Sequence, residues 1–313
     1  MPHTRVNTHE LRRIALTALL LAALAAPAAH AQSGGVPNAP WPQLLPPGDA
    51  PATVQPEPTK NCRVASVKRC IDLTIRRLTL VRDRFGCDHR AVFADTYLLL
   101  TKEIRKTLRQ EPHFFDDNNF LIHEDSVFSD FYYRMLREDR LGQPVPGAWR
   151  VALDAAKSGD ANAAQDMLLG INAHVQRDMP YVVAAVGTQY PDGRTRKHDH
   201  DVVNEVLNRA YEAIVADVAR RYDPIVATTN SNQTPADNLG GLELVKVWRE
   251  NVWRNAEALL NSKTPDERAQ VEQRIEANAE GTARSIVAVT QPGYRAVRDA
   301  YCAAGPAGGN AAG

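Results

Sequence analysis

Apolar residues recur every three or four positions along most of this chain, the spacing that lines one face of an α-helix. Val64, Val67, Ile71, Ile75, Leu78, Val81 and Phe85 form a first stripe, and Gly86 is placed to end it. A second helix is predicted over about Arg90 to Arg109, with Val92, Phe93, Tyr97, Leu100, Ile104 and Leu108 inward. A third covers about Ser126 to Arg137, and a short fourth follows the Gly142–Gly147 turn. A fifth begins after Ser158-Gly159, with Asp160 as its cap, and runs to about Val186. Pro180 lies inside it and should bend it, freeing a backbone carbonyl near Gln176. Further helices are predicted over about Asp199 to Tyr222 and Asp237 to Leu260, and after Thr264-Pro265-Asp266-Glu267, which reads as a capping box with Pro at the first turn. Alternation of period two is nearly absent and no fixed period repeats. The pattern predicts an all-α protein, a single multi-helix orthogonal bundle.

The two ends break this pattern. Arg5, Arg12 and Arg13, the apolar run Ile14 to Ala25 and the Ala29-His30-Ala31 site together read as a cleaved signal peptide over 1–31. The residues flanking Arg12-Arg13 suit general secretion better than a twin-arginine route. Residues 32–60 hold eight prolines and read as a semi-extended linker. The helical domain then spans 61–302, and the Gly/Ala-rich segment 303–313 reads as a loose tail. No later stretch is apolar for long enough to span a bilayer, so a periplasmic or extracellular protein is expected. Nothing in the pattern sets an oligomeric state.

Charge narrows the partners. The 37 basic and 37 acidic residues balance, and removing the leader leaves 34 against 36. With no basic stripe, nucleic acid is not an expected partner. Four cysteines in an exported chain favour two disulfides. Of the three possible pairings, Cys62 with Cys70 needs an unwound first turn, since both otherwise lie two helical turns apart. A bridge from Cys302 to the N-terminal region is expected.

Candidate chemistry concentrates in two segments. His174 and Asp178 are four apart, beside the apolar row Ile171, Val175, Met179, Val182, Val186, so their side chains project together. His198-Asp199-His200-Asp201 follows at the start of the next helix, where Asp199 or Asp201 also suits an N-cap. Imidazole and carboxylate from facing helices suit zinc or another divalent metal, and equally a structural hydrogen-bonded network. His123-Glu124-Asp125 precedes the third helix and supplies candidate catalytic bases in Glu124 and Asp125, although Asp125 also suits a cap. His89 and His113 read as surface or capping residues. Trp248, Trp253, Tyr97, Tyr132 and Tyr133 are candidates for a pocket lining, or for plain core.

Two resemblances attach to these residues. Ile171-Asn172-Ala173-His174, Arg177-Asp178-Met179-Pro180, Ala184 to Gly187 and His198 to Asn204 resemble an uncharacterised bacterial family known only as domain-of-unknown-function family 5995. That likeness implies a shared helical fold with these residues as its common site. His174 and Asp178 ahead of Pro180 are similar to the His-x-x-x-Asp ligand pairs of the zinc-dependent phospholipases C and related single-strand nucleases. Those enzymes use a Trp at the mature N-terminus and a further His after the Asp, and this chain has neither. The resulting expectation is a secreted metal-dependent hydrolase acting on an ester or phosphoester. His174, Asp178 and His200 are its expected metal ligands, completed from His198, Asp199 and Asp201. The alternative is a non-catalytic helical protein that binds a small apolar or lipid-like ligand.

Overall fold

Helix α3 (Arg90–Gln110) runs through the middle of the molecule because its apolar and small residues cover more than one face. Ala91, Val92, Ala94, Leu98 and Thr101 are all fully buried, and the Thr96 and Thr101 hydroxyls turn back onto the helix's own carbonyls. Helices α2 (Lys68–Phe85), α6 (Ala163–Asn172) and α8 (Lys197–Arg221) pack on it. Gly170 of α6 lies so close to Phe93 that an added Cβ would sit 2.3 Å from the ring. A single turn, α1 (Trp41–Leu44), is the first described element and lies within the stretch expected to be linker. The computed structural model describes residues 41–45, 68–230 and 235–305. The expected leader, most of the linker, Val64 and Val67, and the end of the tail lie outside these.

The remaining elements are α4 (Asn118–Arg140), α5 (Gly147–Ser158), a π-helical turn at Ala173–Asp178, α7 (Met179–Val186), a 3₁₀ turn at Pro224–Asn230, α9 (Pro235–Asn261), α10 (Pro265–Val287) and α11 (Arg295–Ala304). Among the described residues there is no strand, only an isolated bridge of Gln189 with Thr195. The fold is all-α, as the periodicity predicts, and no described helix is long and apolar enough to cross a membrane.

Three helix starts differ from the prediction, each for a local reason. Asp117 accepts the backbone N–H groups of Asn119 and Phe120, so α4 starts two turns early and buries Phe120, Leu121 and Ile122. Glu124 and Asp125 are therefore inside α4, and Asp125 caps nothing. Asn162, reciprocally bonded with Gln165, caps α6, while Asp160 accepts the backbone N–H of Gly293. Helix α8 begins at Lys197, ahead of both Asp199 and Asp201; its N-cap residue Arg196 makes no side-chain cap bond, and the Thr195 hydroxyl accepts the Lys197 N–H at 3.1 Å. The predicted cap at Thr264 is present, its hydroxyl accepting from the Glu267 N–H at 3.1 Å.

The long fifth helix is interrupted rather than simply bent. Over Ala173–Asp178 the backbone winds as a π-helix, and the Met179 N–H reaches back five residues to the His174 carbonyl. Pro180 then sits in the first turn of α7, where its missing N–H costs nothing. The π turn is touched by α4, α5, α9 and α10, so it lies where most of the bundle meets.

Cys302 on α11 is bonded to Cys87, Cα to Cα 5.8 Å, closing a span of 215 residues. The expected tether from Cys302 towards the N-terminal side is thus present. Cys70 is disulfide-bonded as well.

Candidate functional site

The π turn carries a buried polar group. His174 Nδ1 lies 3.0 Å from Asp178 Oδ2, and both side chains are only 2 % exposed. The same oxygen accepts Trp149 Nε1–H at 2.8 Å, and Asp178 Oδ1 accepts Arg177 Nη1–H at 3.0 Å. Arg177 continues to Glu276 at 2.8 Å. Since Asp178 is an acceptor for every neighbour, the proton of the His174 imidazole belongs on Nδ1. Burial holds the imidazole pKa below its ordinary value, against the pull of Asp178, so the ring is neutral. Nε2 then carries a lone pair and has no hydrogen-bond partner. Phe128 stacks flat on this ring at 3.5 Å, and Tyr97 meets it edge-on at 5.0 Å.

His174 forms part of the wall of a cavity of about 270 Å³ between α3, α6, α8 and α9. Phe93, Leu100, Met167, Ile171, Val203 and Leu242 supply much of its apolar surface, with Tyr97, Met179 and Arg249 beside them. Trp248, Trp253, Tyr132 and Tyr133 are packed elsewhere in the protein. Of the aromatics proposed from sequence as a lining, Tyr97 alone faces this cavity.

The second histidine segment belongs to other networks. His200 Nε2–H donates to the Arg249 carbonyl at 2.9 Å, and burial with the nearby charges of Arg249 and Lys197 keeps the ring neutral. Asp199 is fully buried and holds the loop before α4: its oxygens accept the N–H groups of Asp116 at 2.7 Å and Asp117 at 3.0 Å, and the Tyr190 hydroxyl. Asp201 pairs with Lys197, which also holds Glu250. Among the described residues, the set whose possible ligand atoms fall within 4.8 Å of one another is Asp116, His198 and Asp199. It contains two of the six sequence-derived metal candidates and omits His174, Asp178 and His200. Any ion there would share Asp199 with three protein donors.

Glu124 and Asp125 are buried, and burial raises both carboxyls to about 7. Asp125 is raised further by the neighbouring Glu124 charge, while the Tyr97 hydroxyl opposes this. Both acids hold protons in the folded protein that the unfolded chain has released above about pH 4.5, so their stabilising effect is full below that pH and is lost as pH climbs through about 7. Asp125→Asn should accordingly flatten the fall in stability between pH 5 and 8 by on the order of 2–3 kcal/mol, read from urea unfolding at both values. A slope equal to wild type would mean that Asp125 holds no such proton.

His89 corrects the sequence reading. It is 3 % exposed, with Nδ1 2.6 Å from Asp166 Oδ2. Asp166 lies 77 residues away, and no local pattern around His89 announces the pair. Arg249 was likewise not anticipated.

Fold and site together define a class: an all-helical protein with a polar dyad at a π turn, its histidine in the wall of an apolar cavity. Residues 71–289 match the model of the Family of unknown function (DUF5995), and the chain belongs to that family. No curated protein and no solved structure matches it. The comparisons thus carry the first resemblance seen in the sequence and not the second.

Proposed function

We propose that this protein binds a small, largely apolar molecule in the cavity between α3, α6, α8 and α9. One observation carries the reading: an apolar space of about 270 Å³ whose wall includes a neutral imidazole with an unpartnered Nε2. Ligand sites are concave and mainly apolar, with few polar groups to fix orientation, and buried polar atoms normally have partners. A ligand supplying one hydrogen-bond donor would complete His174. The dyad also has the arrangement of an oriented general base, but among the described cavity-lining residues there is no Ser, Cys or Lys to serve as a nucleophile. Binding without chemistry is therefore preferred.

Isothermal titration of the protein with 1-octanol tests this directly. Saturable binding in the micromolar to millimolar range is expected. Leu168→Trp, which pushes an indole into the cavity, should weaken it at least about tenfold while leaving the thermal unfolding midpoint within a few degrees. Absence of saturable binding, or indifference to Leu168→Trp, would sink the proposal. The metal-dependent hydrolase reading has one observation in its support, the Asp116, His198 and Asp199 set. The same preparation, purified without a His-tag, decides it: less than about a tenth of an equivalent of any transition metal removes that reading.

A further inference from the structure

We infer that the molecule held in this cavity is a monocarboxylic acid, its carboxylate bound by Arg249. The inference rests on the binding reading above and names the chemical class of its ligand.

Arg249 projects from α9 and is 4 % exposed. Three cations are described as buried, Lys246, Arg249 and Arg298. Lys246 holds Glu243 at 2.5 Å and Arg298 holds Asp299 at 3.0 Å. Arg249 differs: its partners are all neutral. Nε–H donates to Asn204 Oδ1 at 2.9 Å, Nη2–H to the His200 carbonyl at 2.5 Å, and Nη1–H to the Met179 thioether sulfur at 3.5 Å. Glu124 and Asp201 favour its charge through space, but among the described residues no carboxylate makes an ion pair with it. A buried guanidinium without an acid is costly, and such groups are normally paired. Met179 and Arg249 both line the cavity, so the weakest of the three contacts, to sulfur, is on the ligand side. An entering carboxylate can replace that sulfur with a charge-assisted bond while Asn204 and the His200 carbonyl keep the guanidinium in place.

Size sets the rest of the molecule. A cavity of 150 Å³ accommodates benzene, so 270 Å³ suits a body of about ten non-hydrogen atoms. Octanoate has that size and shape. The apolar lining provides for its chain, and Arg249 provides for its head.

The test compares octanoate, 1-octanol and octylamine by isothermal titration at pH 7.5, with wild type and Arg249→Met. Octanoate is expected to bind at least about tenfold more tightly than octanol, and octylamine more weakly than either. In Arg249→Met the octanoate advantage should vanish while octanol affinity stays within about threefold. Equal affinity for octanoate and octanol in wild type, or an octanoate preference that survives the substitution, overturns the inference and leaves the cavity reading standing. Failure of both probes to bind overturns the two together. If Arg249→Met does not fold, the wild-type order of the three probes decides alone, because only a cationic anchor ranks acid above alcohol above amine.

Discussion

Cys302→Ser is expected to cost on the order of 5 kcal/mol in reversible unfolding, the largest single effect in this protein. The bond closes a loop of 215 residues, and loop-closure entropy removed from the unfolded chain grows with the logarithm of that length. The native contacts of α11 would survive the substitution. Arg298 remains bonded to the Cys87 carbonyl, Tyr294 donates to Asp223 at 2.9 Å, and Gly293 still donates to Asp160. The loss therefore arises mainly in the unfolded state. A fall of roughly 10 °C or more in the unfolding midpoint is anticipated for a domain of this size. Chemical denaturation of the variant beside reduced wild type checks it; a difference below about 1 kcal/mol from oxidised wild type would show that the unfolded chain is already compact enough to make the bond redundant.

The second large effect is at Asp178. Asp178→Ala removes the acceptor shared by Trp149, His174 and Arg177, all in buried or half-buried positions. Arg177 keeps Glu276, but the indole N–H and the imidazole N–H are left without partners inside the bundle. Breaking a buried charged network from one side costs about 3–5 kcal/mol. Trp149→Phe, which takes away one donor and little volume, should cost about 1 kcal/mol, so the pair of variants separates the acid's contribution from packing. Urea unfolding with and without a chelator reads both. If chelator alone reproduced the Asp178→Ala loss in wild type, the dyad would be holding a metal rather than serving as a polar brace.

How much of this was legible in the sequence depends on the range over which each feature is encoded. Helices α3, α9 and α10 follow from periodicity, and Thr264 announces the start of α10 because a cap acts within three residues. The pairing of His174 with Asp178 is legible for the same reason: four residues of helix bring them together. The start of α4 was not, because Asp116 and Asp117 sit in a polar stretch where several residues could cap. Asp199 was read as a possible helix cap, and its hold on the loop before α4 was not legible, because its partners there are backbone N–H groups 82 and 83 residues away. Arg249 was the most hidden. In Lys246-Val247-Trp248-Arg249-Glu250 it looks like part of a solvated face, and only the packing of α9 against α8 reveals that no acid among the described residues pairs with it.

The π turn has a consequence for the whole assembly. Winding one extra residue into a helix rotates everything after it by roughly 100° relative to an uninterrupted α-helix. In register terms it is a phase shift. Before it, Ile171 is directed to the cavity and Gly170 to Phe93; beyond it, Val183 and Ala184 join the apolar cluster shared with α9 and α10. A strictly periodic helix would carry one stripe along its length and could serve one set of neighbours. Deleting a single residue between Ala173 and Asp178 would cancel the shift, turning the α7 stripe away from α9 and taking Met179 away from Arg249. The insertion thus does for helix packing what a bulge does for a sheet: it re-aims the chain at the point where the cavity begins.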